Sequence, residues 1–247
     1  MMSRALLPVL DFDGVICDSV DECFASSWIA YHRLYRGRDA VPLPPRTDPA
    51  FAALRPLIRS GEDYLLIHEI LENGARAANQ EEFDGLIRRA GPEKMASFKD
   101  LFYRARGELL EKQPDLWFSL NPVYGHMREA LRAPQETRLW ILSTKKPRFI
   151  AEILSHAGLP FPEERIIDSG SGRKLPIVVG LLEKENGDRA LFLDDQIDHL
   201  KGCEDPRIRP YLASWGYVKR EWLAGGTGVP VLDPAAFLAL WRSEVAG

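Results

Sequence analysis

"VLDFDGVICDSV", residues 9–20, runs from an apolar stretch directly into two carboxylates. Asp11 and Asp13 flank Phe12, and Gly14 follows at once. A buried acid is costly unless it is paired or bound to a cation. The stretch therefore reads as a strand that ends at a functional edge, provided that the rest of the chain brings partners to that edge.

Strand and helix patterns alternate after residue 120. "RLWILS" (138–143), "RIID" (165–168), "RALFLD" (189–194) and "RPYLASW" (209–215) read as strands, and the tail carries "VPVLD" (229–233) before its last helix. Between them, "PRFIAEILSHAG" (147–158), "LPIVVGLLEKE" (175–185), the short "QIDHLKGCE" and the terminal "PAAFLALWRSE" read as helices. Such alternation predicts βαβ units and a parallel sheet, which residues 5–11 would join as one more strand. Residues 17–120 lack strand signals. "CFASSWIAYHRLY" (23–35), "PAFAALRPLIR" (49–59), "DYLLIHEILENG" (63–74), "EEFDGLIRRAG" (81–91) and "MASFKDLFYRARGELLEK" (95–112) carry apolar residues at three- and four-residue steps, as helices do. The expectation is an α/β fold: a Rossmann-like core from 1–16 and 121–247, with an inserted α-helical cap at 17–120.

Ligands of open parallel sheets bind beyond the carboxyl ends of the strands. Those ends carry Asp11 and Asp13, then Ser143 and Thr144, then Asp194 and Asp195 with Asp198 close behind. Lys174 opens a helix that reaches the same edge. Each residue alone has an ordinary reading, since Asp, Ser and Thr commonly cap helices and shape turns. Together they crowd several carboxylates, which repel unless a cation sits among them. Oxygen-only ligands with a hydroxyl and a lysine suit Mg²⁺ and a phosphoryl group.

Composition narrows the partners. The net charge is 32 − 36 = −4, and no basic block offers a nucleic acid a surface. No apolar run is long enough to span a membrane, and the start reads as a strand, not as a signal peptide. Three cysteines without a CxxC pair argue against a disulfide framework and for a reducing, cytoplasmic setting. The five histidines, His32, His68, His126, His156 and His199, lack zinc-ligand spacing and read as surface or core residues.

"DFDGVICDS" resembles the first motif of the haloacid dehalogenase superfamily. "LWILSTKKP" resembles its second motif, Lys174 in "GRKLPIVVGLLEK" its third, and "LFLDDQIDHL" its acidic fourth. "NPVYGHMREAL" and "LASWGYVKREWL" are similar to stretches of the phosphoglycolate-phosphatase-like members, whose core motifs the β-phosphoglucomutase-like members share. One departure is Leu193, which stands where the fourth motif usually has Gly. The resemblance implies a phosphatase in which Asp11 attacks phosphorus and Asp13 serves as acid and then base. It implies Mg²⁺ held by Asp11, Asp13 through its carbonyl, and Asp194, with Asp195 or Asp198 in support. Ser143 and Lys174 would contact the phosphoryl group, with Gly14 and Thr144 beside it. Lys145 and Lys146 leave a second choice of phosphate-facing lysine. Asp13 argues against a dehalogenase, and the early cap helix offers no lysine for a phosphonate-cleaving Schiff base. A phosphosugar mutase and a catalytically silent binding protein remain as alternatives. In the cap, Arg55 and Arg59 are candidates for gripping a small phosphorylated metabolite, or else a solvated face. Closure on hinges near 16–20 and 117–122 would restrict the site to small ligands. Oligomeric state is left open.

Overall fold

A computed structural model describes residues 6–37, 41–132, 138–170 and 172–245. Ala5, which the sequence pattern assigns to the first strand, lies outside them. The chain divides into two compact units, Met1–Asp18 with Val123–Gly247, and Ser19–Pro122.

The first unit is built on six parallel strands: β1 (Leu7–Leu10), β2 (Trp140–Ser143), β3 (Ile166–Asp168), β4 (Ala190–Asp194), β5 (Ile208–Ala213) and β6 (Val231–Leu232). Their order is β3-β2-β1-β4-β5-β6. β1, β2 and β4 are buried along their whole length, which is why they read as continuous apolar runs without alternation. Val9, Trp140, Phe192, Val178 and Leu182 share one apolar cluster, joining the sheet to the helix Leu175–Lys184.

Register decides what meets at the sheet edge. Leu10 pairs with Ile141 on one side and Leu193 on the other. One step further along, Asp11 stands level with Asp194. The Asp11 N–H continues the ladder to the Leu193 carbonyl at 2.9 Å. The strand order also reverses at β1, with β2 to one side and the later β4 to the other, which creates the crevice where such sheets bind ligands.

The second unit is helical. It comprises helices Val20–Arg36, Pro49–Leu54, Tyr64–Asn73, Gln80–Ala90, Pro92–Lys112 and Pro114–Ser119. Phe51, Leu65, Phe98 and Phe102 centre its core, and Tyr31 belongs to the same cluster with Trp28 packed against it. Tyr31 is thus a core member, and Trp28 is half-buried against it. A buried ion pair crosses the unit: Arg106 Nε and Nη2 donate to Glu22 Oε1 and Oε2, each at 2.8 Å.

The predicted helix over 49–59 is shorter than its pattern. It stops at Leu54, and Arg55–Leu57 forms a 3₁₀ turn. Pro56 has no N–H to donate to the preceding turn, so the α-helical ladder cannot continue. Arg55 and Arg59 therefore do not lie along one helix.

Candidate active site

The loop after β1 is a tight coil. The N–H groups of Val15, Ile16 and Cys17 all point to the Phe12 carbonyl, at 3.3, 2.9 and 2.9 Å, and Gly14 N–H donates to the Cys17 carbonyl at 2.8 Å. Phe12 is fully buried and anchors the turn. Gly14 takes φ +82°, a left-handed conformation that suits a residue without Cβ. The space matters as much. A Cβ there would lie 2.0 Å from Asp195 Oδ2. Gly14 thus lets the β1 loop and the Asp195 carboxylate pack face to face.

Asp11, Asp194 and Asp195 come together, each buried, with carboxylate oxygens within 4.8 Å of one another. Lys174, the residue before its helix, puts its ammonium 2.9 Å from Asp11 Oδ1 and 2.8 Å from Asp194 Oδ2. His199 Nδ1 lies 3.0 Å from the same Asp194 oxygen, and Gln196 N–H donates to Asp194 Oδ1 at 2.8 Å. Asp195 Oδ2 accepts the Tyr217 N–H at 2.7 Å. Asp13 turns to a different cation: Lys145 Nζ is 2.8 Å from its Oδ1 and rests over the Phe12 ring. Ser143 ends β2, nearly fully buried, and its Oγ accepts the Lys145 N–H at 3.3 Å. Thr144, next in sequence, is half-buried.

These contacts split the electrostatics of the two central acids. Burial pushes the Asp11 carboxyl above its usual range, Lys174 opposes the rise, and Asp194 adds to it. Asp194 is equally buried, but Lys174 and His199 hold its carboxyl well below the usual range. Burial works against the Lys174 ammonium, and Asp11 and Asp194 more than offset it, so it stays charged. Counting lysines only, four buried carboxylates (Asp11, Asp13, Asp194, Asp195) face two buried ammonium groups, Lys145 and Lys174. The excess negative charge and the all-oxygen donor set of Asp11, Asp194 and Asp195 fit a hard divalent cation such as Mg²⁺.

Not every candidate joins this group. Asp198, the second residue of the short helix Ile197–Leu200, is half-buried and is not one of the three clustered acids. Arg55 is buried in the helical unit, donating to the Ile58 carbonyl at 3.4 Å and lying over the Tyr64 ring. Arg59 pairs with Asp84. Lys146 is exposed, so only Lys145 of the two neighbouring lysines turns inward. Two contributors were missed in the sequence. His199 looked like one of five scattered histidines, although its nearness to the "LDDQID" run was a usable signal. Gly216 had no signal by type: a Cβ on it would lie 2.4 Å from Asp195 Cβ and 2.6 Å from the Gly14 carbonyl.

Six parallel strands in the order 3-2-1-4-5-6, with the acids on the two central strands, have close counterparts among solved structures. A hydrolase from Pseudomonas syringae superimposes with a TM-score of 0.63 at 15% identity, covering 97% of this chain and 99% of that one. The fold is that of the haloacid dehalogenase-like hydrolases. A predicted phosphoglycolate phosphatase from Haemophilus somnus 129pt gives a TM-score of 0.62 at 15% identity, over 97% of this chain and 99% of its own. A haloacid dehalogenase-like family hydrolase from Streptococcus pneumoniae gives 0.57 at 13%, over 97% and 100%. No family model matches the sequence, and no curated protein matches it. Among the described residues, no helix is long and apolar enough to cross a membrane.

Proposed function

We propose that this chain is a Mg²⁺-dependent phosphatase that hydrolyses a small phosphomonoester metabolite through an aspartyl-phosphate on Asp11. The observation that carries the reading is the Lys174 ammonium lodged between Asp11 and Asp194 at 2.9 and 2.8 Å, beside the third acid, Asp195. The names of two solved structures with this fold, a predicted phosphatase and a predicted phosphoglycolate phosphatase, support it.

In the first step an Asp11 carboxylate oxygen bonds to phosphorus while the bond to the ester oxygen breaks, and the leaving alcohol takes a proton from Asp13. In the second step water attacks phosphorus, the Asp11–phosphorus bond breaks, and Asp13 takes the water's proton. Lys145, at 2.8 Å, fixes the direction of the Asp13 carboxylate throughout. Ser143 Oγ donates to a phosphoryl oxygen, with Thr144 and the Gly14 turn beside it. Lys174 keeps Asp11 oriented and offsets charge as the phosphoryl group arrives. Asp11, Asp194 and Asp195 would hold the Mg²⁺, whose chemistry there would be charge neutralisation at the phosphoryl oxygens.

The test is phosphate release from a panel of small phosphate esters, with EDTA and then with added Mg²⁺. Turnover should vanish with EDTA and return with Mg²⁺. Full turnover in metal-free protein refutes the metal role. Interconversion of a sugar phosphate without phosphate release refutes the hydrolase in favour of a mutase.

A further inference from the structure

The loop after β5 does something that the four acidic and basic motifs do not account for. It grips the third acid. Tyr217 N–H donates to Asp195 Oδ2 at 2.7 Å, while its own hydroxyl donates to Asp18 Oδ1 at 2.8 Å. Trp215 Nε1 donates to the Val15 carbonyl at 3.0 Å. Three consecutive residues, Trp215 to Tyr217, thus tie the end of β5 both to Asp195 and to the loop that follows β1. The close fit leaves no room for side chains on either strand of this seam. A Cβ on Gly14 would meet Asp195 and Tyr217 at 2.0 and 2.8 Å, and one on Gly216 would meet Asp195 and the Gly14 carbonyl at 2.4 and 2.6 Å.

We infer that Tyr217 is a positioning residue for the cation site: its backbone N–H aims Asp195, and its hydroxyl latches that aim to Asp18. This rests on the Mg²⁺ reading above and deepens it. Asp195 follows the strand end, where its backbone no longer has the sheet ladder to hold it. Its side chain is directed from outside, by the Tyr217 N–H. The hydroxyl–Asp18 bond closes the loop of contacts Asp195–Tyr217–Asp18 across the β1 turn. A Mg²⁺ ligand set needs its oxygens within a narrow geometry, so loosening the latch weakens the cation more than it weakens the fold.

The experiment measures thermal stabilisation of the full chain as Mg²⁺ is titrated, without substrate. Tyr217→Phe keeps the ring against Gly14 and the N–H on Asp195 but removes the hydroxyl. The Mg²⁺ midpoint should rise about three- to tenfold, the equivalent of one hydrogen bond. Asp18→Ala should raise it by the same factor, and the double variant by no more than either. Asp18→Asn, which keeps an acceptor oxygen, should recover most of the affinity. In phosphate release, the deficit of Tyr217→Phe should be largest at limiting Mg²⁺ and shrink as Mg²⁺ is raised. A Tyr217→Phe chain that melts lower but keeps the wild-type Mg²⁺ midpoint overturns the inference, as do additive effects of the two single variants. If the wild-type chain itself shows no Mg²⁺ stabilisation, the cation reading falls and this inference with it.

Discussion

Gly14→Ala is the sharpest single perturbation of the site, because two independent costs meet at one atom. The first is conformational. Gly14 has φ +82°, and an L-residue held there costs about 1–2 kcal/mol. The second is steric. The new methyl would lie 2.0 Å from Asp195 Oδ2 and 2.8 Å from Tyr217 Cδ2. Restoring an ordinary contact of about 3.5 Å means moving the carboxylate by more than about 1 Å. That breaks the 2.7 Å bond from Tyr217 N–H, a hydrogen bond to a charged group worth about 1.5–3 kcal/mol. The expected total is about 3–5 kcal/mol. For a chain of this size that lowers Tm by about 10 °C, at roughly 2–4 °C per kcal/mol. Gly74 is the internal control. It has φ +68°, and nothing lies within 4 Å of the place a Cβ would take, so Gly74→Ala carries the conformational cost alone. Calorimetry of both variants, with a Mg²⁺ titration of each, separates the terms. Gly14→Ala should lose two to three times as much stability as Gly74→Ala and should bind Mg²⁺ poorly. Equal losses in the two variants, or a normal Mg²⁺ midpoint in Gly14→Ala, would refute the packing argument.

Asp11→Asn keeps the shape of the nucleophile but removes its charge, so phosphate release should drop by about three orders of magnitude or more while the fold persists; near-normal turnover would place the chemistry elsewhere. Arg106→Met strands the fully buried Glu22 carboxylate and should cost about 3–5 kcal/mol in denaturant unfolding, and a Glu22→Leu partner change should restore most of it; a loss under about 1 kcal/mol would show that Glu22 finds water. The helical unit also carries two opposed pH terms. Burial and His32 lower the His68 pKa to about 3, so its stability is full above pH 6.5 and is lost as pH falls. Burial, opposed by the Arg59 and Ser60 N–H groups, raises the Asp63 pKa to about 6, so its stability is full below pH 3.8 and is lost as pH rises through 6. Between about pH 4 and 6 the two nearly cancel. Relative to wild type, Asp63→Asn should expose a fall of about 1.4 kcal/mol per unit of acidification, and His68→Gln the reverse slope; identical pH profiles in all three chains would contradict both assignments.

Local sequence determined the elements and their kind. Three unbroken apolar runs ending in Asp11, Ser143 and Asp194 read as buried parallel strands, because no polar face alternates along them and helical patterns separate the later ones. The helices between Val20 and Ser119 were legible from their three- and four-residue periodicity, and the terminal helix Pro234–Glu244 appears as its pattern reads. Pro56 shortened the helix read over 49–59, since apolar spacing does not register a missing N–H. The acids were legible too, as residues that a buried strand end would not otherwise tolerate. Which acids meet was decided by tertiary structure. Asp195 and Asp198 are equally acidic in the sequence, yet only Asp195 joins Asp11 and Asp194. It does so because Tyr217, 22 residues later, reaches it from the neighbouring strand's loop. Lys145 and Lys146 are likewise interchangeable as letters, and the turn after β2 buries the first on Asp13 and leaves the second in solvent. His199 acquires its place on Asp194 only when the short helix folds back over the strand end. Periodicity and charge report what a residue can do with its own neighbours in the chain. The aim of a carboxylate depends on a donor brought from a distant strand, and that is set only when the sheet closes its register.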